Sequence, residues 1–568
     1  MIPQLVSSMQ RNSELSVHSH ITRYYPHLLH TDFDEDCLTL NIYVPADVAD
    51  RSLAVMLWIP PGHTSMTYDG NVLSATQTVI VITTNYRLGA LGFLSTMDRY
   101  ALGNYGLLDQ QLAIRWVKDN IANFGGDPSK ITIFGGGVSV GFHMLSPTNK
   151  GLFQRGISES GVPTSSQLAG KPATWARKLG KNLNCSDVSD HGRLLTCLRS
   201  SSWQDIVNNN PAQNTLTTLE GQFAPVVDGE FITDTPENMI YKSNFSNYDY
   251  LLGFNSHEGA MLYNLFGQTL YPEILNSPGL SSTQFNQLLE DDIQGSYDDE
   301  LDLVADACIY KYTDWQNTFS EFDRLTNFMN FKEDKLLIAP TIDTARKHER
   351  APGTGRLYLY QFSYRSSVTT SPPWIEGAIH GDEISYVFGV PKLTPSTYSS
   401  AEQALSDDMM TYWGNFAKNG NPNFGDATDV TWPEFTNEEE LYIDLGIDVT
   451  VKDHVRANDV AFWVEYIPNL LSKTCQPLPS NCINVVGSDL GLSLTLKGTS
   501  TLIQSLVIVV FFLIIVIAMM MAVLCGYVQK VKSARVQCLK LNAVTKKLEN
   551  ICDSLDRNND NSDNMTKL

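Results

Sequence analysis

A serine framed by glycines is the first residue in this chain whose type and spacing could do chemistry. Ile131 to Pro147 reads I-T-I-F-G-G-G-V-S-V-G-F-H-M-L-S-P, four β-favouring residues that run into glycines and then a helix-compatible segment. A serine raised on a sharp strand-to-helix turn in a G-x-S-x-G frame is an exposed nucleophile, provided that a base stands within hydrogen-bond reach. Gly137-Val138-Ser139-Val140-Gly141 fits that expression. Where Ser139 falls relative to the turn therefore decides whether acyl chemistry is open to this chain.

The elements that would position such a group alternate. Glu35 to Val44 has the period of a strand, with Leu38, Leu40, Ile42 and Val44 on one face. Leu53 to Ile59 and Thr78 to Thr84 are short apolar runs suited to strands buried on both faces. Leu107 to Phe124 reads as a helix with Leu108, Leu112, Trp116 and Ile121 at near-helical spacing. Ile131 to Phe134, Phe153 to Ser158, Tyr248 to Phe254 and Arg356 to Tyr364 read as further strands, and 280–350 as mainly helical. Strands alternating with helices predict a mainly parallel α/β sheet. The acidic run Glu438-Glu439-Glu440 reads as a solvated loop. With 568 residues, 43% of them hydrophobic, the chain is long enough for one large α/β domain with appendages. A formal net charge of −22 argues against a nucleic-acid partner.

Longer stretches carry a family resemblance. They are Glu35-Asp36-Cys37-Leu38-Thr39-Leu40-Asn41, Asn85-Tyr86-Arg87-Leu88-Gly89-Ala90-Leu91-Gly92-Phe93, Phe124-Gly125-Gly126-Asp127-Pro128, Phe223-Ala224-Pro225-Val226-Val227-Asp228-Gly229 and His380-Gly381-Asp382-Glu383. The chain resembles the type-B carboxylesterase and cholinesterase family, which also contains non-enzymatic adhesion members such as the neuroligins. The resemblance covers roughly 33–470. It implies an α/β-hydrolase fold with a Ser–Glu–His triad, and no cofactor or metal. Glu258, in Asn255-Ser256-His257-Glu258-Gly259, matches the triad acid, and His380 matches the triad base. In those roles Glu258 would hold the tautomer of His380, and His380 would move the proton.

Three departures from the family pattern follow. The family strand runs straight into G-E-S-A-G, whereas here Phe134 is followed by Gly135-Gly136-Gly137. Three residues of the type E-S-A placed between Gly135 and Gly136 would restore the pattern. In that register Ser139 belongs to the helix after the turn and is a weak candidate nucleophile. The oxyanion loop, glycine-rich in the family, reads Ile59-Pro60-Pro61-Gly62-His63, and proline has no N–H to donate. Gly136 and Gly137 are the remaining candidate amides. Finally, the N-terminal region is shorter than a complete member's by about 70 residues, judged against ordinary domain size. Cys37 then lacks the upstream partner that the family supplies, and His27 stands where a choline-binding tryptophan is expected.

Leu506 to Cys525 is an uncharged run long enough to span a bilayer, with Lys530, Lys532 and Arg535 after it. This predicts a single-pass type I protein at the cell membrane with an extracellular ectodomain. The N-terminus shows no signal peptide, and the domain is expected to be N-terminally incomplete. The expected organisation is an irregular remnant over 1–33, the hydrolase-like domain over 34–470, a stalk over 471–504, a transmembrane helix over 505–528 and a cytoplasmic tail over 529–568. Six of nine cysteines precede the span, and Cys185 with Cys197, like Cys475 with Cys482, could close a small loop. Cys308 has no obvious partner. Asn184 and Asn244 begin glycosylation sequons. In the tail, Leu541, Val544, Leu548, Ile551 and Leu555 mark a short amphipathic helix, and Thr566 to Leu568 could add to a PDZ domain as a strand. The functional expectation is a membrane-anchored, cholinesterase-like ectodomain that is catalytically impaired and acts by binding extracellular protein partners. The alternative is an active carboxylic-ester hydrolase of which this chain is a truncated or spliced version.

Overall fold

The computed structural model describes residues 34–474 apart from 47–51, 62–67, 166–167, 169–170, 212–222, 243–244, 262, 264–277, 295–300, 370 and 427. The chain divides into two units, Met1–Gln476 and Pro477–Leu568, and every described residue lies in the first. The expected transmembrane helix, the tail helix, the PDZ-type terminus, Cys475, Cys482 and Asn244 lie outside the described residues. Among the described residues no helix is long and apolar enough to cross a membrane.

Nine strands form one sheet in the order β1-β3-β2-β4-β5-β6-β7-β8-β9. They are β1 Leu40–Tyr43, β2 Leu53–Ile59, β3 Ile80–Thr84, β4 Gly126–Gly136, β5 Arg155–Glu159, β6 Asp249–Asn255, β7 Leu357–Phe362, β8 Leu441–Leu445 and β9 Thr450–Asp453. From β3 to β8 neighbours pair in parallel, and β1 and β9 close the two edges antiparallel. This is the α/β-hydrolase type of sheet expected from the alternation of strands and helices.

Side chains alternate across a strand, so a strand covered on both faces must be apolar throughout. β2 and β3 are buried at every position. On one face Val55, Leu57, Ile59, Ile131 and Ile133 pack under the helices α2 (Tyr105–Asn120) and α3 (Gly137–Leu145). On the other, Met56, Trp58, Phe134, Tyr358 and Tyr360 join the long helix that runs from Ser400 to Asn419, through Met409, Trp413 and Phe416. That helix begins at a capping box, in which Ser399 accepts from the Glu402 amide and Glu402 answers to the Ser399 amide. A third core is helical, built from Ser282–Gln294, Leu301–Tyr312, Glu321–Glu333 and the segment around Phe462 and Trp463, in line with the helical reading of 280–350.

Several local expectations are corrected. β1 is only Leu40–Tyr43, and Leu38 and Val44 are exposed, because the pairing with β3 ends there. α2 buries Leu107, Gln110, Ile114 and Val117, whereas Leu108, Leu112 and Trp116 face outward. Two stripes compete on this helix, and the buried one contains polar residues that are satisfied inside the fold. Asp109 takes the Arg87 guanidinium at 2.7 Å, and Gln110 Oε1 meets His143 Nε2 at 2.9 Å. Glu440 is buried rather than solvated, paired with Arg346 Nε at 2.6 Å. Cys37 and Cys308 are free thiols, and Cys308 is buried.

Arg456 is the cation that ties the C-terminal helices to the domain. Its guanidinium meets Glu333 and Asp334, both buried, and Tyr312 donates to Asp334 at 2.9 Å. Removing one partner of a buried pair strands the other charge. Arg456→Met should therefore lower unfolding stability by about 3 kcal/mol, read as a shift of the urea midpoint by tryptophan fluorescence. An unchanged midpoint would mean that the two carboxyls are protonated and need no cation.

Candidate functional site

Two loops at the carboxyl ends of β6 and β7 bring Glu258 and His380 together. Asn255 ends β6, and Glu258 opens the short turn Glu258–Ala260 that follows it. His380 precedes the helix Asp382–Val387, after Gly381, whose φ of +86° makes the sharp entry. The loops are laced to each other. The His257 amide donates to Ala378 O at 2.9 Å, the Ala378 amide to Ser256 Oγ at 3.1 Å, and Asn255 Nδ2 to Ile379 O at 2.7 Å.

The Glu258 carboxylate is fully buried and takes three hydrogen bonds. Oε1 accepts from the Asn255 amide at 2.7 Å and from Ser160 Oγ at 2.6 Å, and Oε2 faces His380 Nδ1 at 2.6 Å. Nδ1 is therefore the donor, and Nε2 is the free end of the ring. Burial pulls the imidazole pKa down, but the charge of Glu258 and its hydrogen bond outweigh burial and push it up to about 9. The protonated form of His380 is thereby favoured, and in that form Nε2 is a donor rather than a base. Its Nε2 meets no hydroxyl among the described residues.

The strand-to-helix turn holds no nucleophile. β4 ends in Gly135, with φ +118°, and Gly136; Gly137 begins α3. A Cβ on Gly135 would stand 2.5 Å from Ile59 O, and one on Gly137 would stand 2.0 Å from Gly161 O. Gly136 is tight as well, with Pro61 Cα at 3.2 Å from the same construction. Ser139 lies within α3, and its hydroxyl accepts from Gln110 Nε2 at 3.2 Å. It faces α2, and no hydrogen bond joins it to His380 among the described residues. The imidazole on that side is His143, which burial depresses to about 3, and it reaches Ser139 only through Gln110.

Pro60 and Pro61 follow β2 and offer no amide; Pro60 O accepts from Tyr86 Oη at 2.8 Å. Gly62 and His63 lie outside the described residues. The Gly137 carbonyl is taken by Ser158 Oγ at 3.1 Å. Asn184 is exposed with φ +58°, next to the Cys185–Cys197 disulfide.

Ser160 and Glu159 had no sequence signal, and Asn255, Asp382 and Glu383 stood in the quoted motifs without a role. Ser160, with φ +51°, also reaches Glu383 Oε1 at 3.5 Å, and Asn255 Nδ2 donates to Glu383 Oε2 at 2.5 Å. Burial, then the charge of Glu258, raises Glu383 to about 7, and burial raises Asp382 to about 7. Glu159 is raised well above the carboxylate range by burial and the charge of Glu383, and takes Trp413 Nε1 at 2.9 Å. Buried acids thus line the floor beneath the Glu258–His380 pair.

Residues 4–463 match the model of the carboxylesterase family. The chain belongs to that family. It is 36% identical over 487 residues to mouse neuroligin-2, covering 77% of this chain and 56% of the relative. Mouse neuroligin-3 matches at 36% over 491 residues, 77% of this chain and 58% of the relative. Acetylcholinesterase of Bungarus fasciatus matches at 36% over 457 residues, 78% of this chain and 73% of the relative. The chain thus spans a little over half the length of the neuroligins it matches. Neuroligins and an acetylcholinesterase stand at equal identity, so the family does not choose between them and the site must.

The buried groups fix a pH dependence. Burial raises Glu333 to about 7 and Asp334 to about 8, alongside Glu383 and Asp382 near 7 and His380 near 9. Their stabilisation is full below the unfolded pKa values and is lost as pH climbs through the folded ones. His143, His257 and His348 are lowered by burial and oppose this trend only up to about pH 7.5, above which they are neutral in both states. From pH 6.5 to 9 the folded chain therefore binds more protons than the unfolded one. Stability should fall across that window by on the order of 2–4 kcal/mol, measured by denaturation at constant ionic strength. The slope should flatten in His380→Gln. A profile that rises over the window would overturn this assignment.

Proposed function

We propose that this chain is a cell-surface binding protein on a cholinesterase-like scaffold, without ester hydrolysis of its own. The observation that carries the reading is the turn at Gly135 to Gly137, which presents glycines where acyl transfer needs a hydroxyl, beside a His380 that is already protonated. Glu258 and His380 act here as a buried ion pair. Gly136 and Gly137 serve the turn and stabilise no oxyanion. The ectodomain stands outside the cell, anchored by 505–528, with glycans on Asn184 and Asn244 and extracellular protein partners. Thr566 to Leu568 recruits a PDZ scaffold within. Similarity to neuroligins and to an acetylcholinesterase supports the scaffold and leaves the partner open.

The purified chain should not label with a fluorophosphonate and should hydrolyse p-nitrophenyl esters no faster than buffer. Labelling abolished by Ser139→Ala, or turnover abolished by His380→Ala, would defeat the proposal. On intact cells, surface biotinylation should tag the ectodomain, and Asn184→Gln should remove the mass of one glycan. Failure of both would place the domain on the other side of the membrane.

A second reading is favoured by one contact. Glu258 and His380 keep the 2.6 Å geometry that a triad would use. If the family chemistry lies one insertion away, Glu-Ser-Ala added between Gly135 and Gly136 should gain fluorophosphonate labelling. Turnover would still run about 10²–10³ below a complete member, because Pro60 and Pro61 supply no oxyanion donors. No labelling of the insertion variant would remove this reading.

A further inference from the structure

Away from the Glu258–His380 pair a cleft of about 360 Å³ opens to solvent. Leu94, Leu179, Leu195, Leu198 and Ile206 form its inner wall, each buried. They come from the helices Pro172–Asn182, His191–Ser200 and Trp203–Asn208 and from the end of Gly89–Phe93, the set that the Cys185–Cys197 disulfide braces. A cleft with an apolar inner wall and a polar mouth is the ordinary form of a small-molecule site.

The polar residues gather where the cavity meets solvent. Glu35, Arg87, Tyr105 and Arg199 line it there, and Glu35 and Arg199 are exposed. Arg87 is already matched by Asp109 at 2.7 Å. Arg199 makes no ion pair, and the Tyr105 hydroxyl no hydrogen bond, among the described residues. An unmatched guanidinium at the mouth of an aliphatic pocket selects an anionic head and an alkyl tail. The inner wall is aliphatic, Tyr105 standing at the mouth, and the volume lies at the low end of ligand cavities, which suits one chain rather than two.

We propose that this cavity binds a medium-chain aliphatic carboxylate, its tail against Leu179, Leu195 and Leu198 and its head on Arg199 and Tyr105. Glu35 is the opposing charge at the mouth and limits affinity. This site is independent of the reading of Glu258 and His380.

The test uses the full chain in membranes of expressing cells and a decanoic acid that carries a mid-chain diazirine. After photolysis, mass spectrometry should find the label on 172–206. Unlabelled acids should displace it about fourfold more strongly per added methylene until the cavity is full. Decanol should displace it several-fold less well than decanoate. Arg199→Gln, a surface change, should weaken labelling three- to tenfold, and Glu35→Gln should strengthen it. Label spread without enrichment at 172–206, or equal displacement by decanol, overturns the proposal. So does labelling that appears only after deletion of residues 1–33, which would assign the cavity to the chain's own N-terminal segment.

Discussion

A carboxylate with no solvent exposure must find its donors inside the protein, and Glu258 finds three. They come from three places in the chain: Ser160 after β5, Asn255 at the end of β6, and His380 in the loop that follows β7. Each parallel strand delivers its loop to the same end of the sheet, so one buried charge can fasten them all. Unpairing a buried charge costs roughly 3–5 kcal/mol, a large share of a domain's net stability. Selection on folding alone would keep Glu258 and His380 in place. Their persistence therefore says little about catalysis, and the neighbouring turn becomes the informative feature.

At that turn the constraint is space. Gly135 needs a left-handed backbone, and Gly135 and Gly137 pass so close to Ile59 and Gly161 that a methyl group would not fit without movement. Pro61 closes over Gly136 from the β2 side. Pro61, which has no amide to donate, and the turn that lacks a hydroxyl thus pack against each other. They form one tight junction in which each makes room for the other's irregularity. Ser139 fits the sequence expression for a nucleophile, but the helix that carries it turns its hydroxyl to Gln110.

Much of this was legible in the sequence. The apolar runs at Leu53 to Ile59 and Thr78 to Thr84 can be stable only between two covered faces, and both became central strands. The place of Ser139 in the helix after the turn could be read from register. What stayed hidden has a common cause. Gln110, Asp109 and Glu440 are polar residues whose partners lie 20 to 100 positions away, so an apolar-stripe reading put α2 on the wrong face and Glu440 in solvent. Ser160 and Glu383 belong to the site for the same reason: Ser160 reaches Glu258 across 98 residues of chain and Glu383 across 223, by contacts that no local period announces.

The protonation of His380 follows from the same arrangement. An imidazole that serves as a base must sit near its ordinary pKa, so that gaining and losing a proton cost about the same. Here the charge of Glu258 pushes the proton affinity of His380 up, and burial together with neighbouring charges raises Glu159, Asp382 and Glu383. Only His380 is placed to cancel the remaining charge. With no hydroxyl at Nε2 to exchange a proton with, the imidazolium is the lower-energy state and the pair behaves as a rivet. A hydroxyl restored at the turn would compete for that ring and shift the balance. A nucleophile at the turn and the electrostatics of the base would thus be coupled.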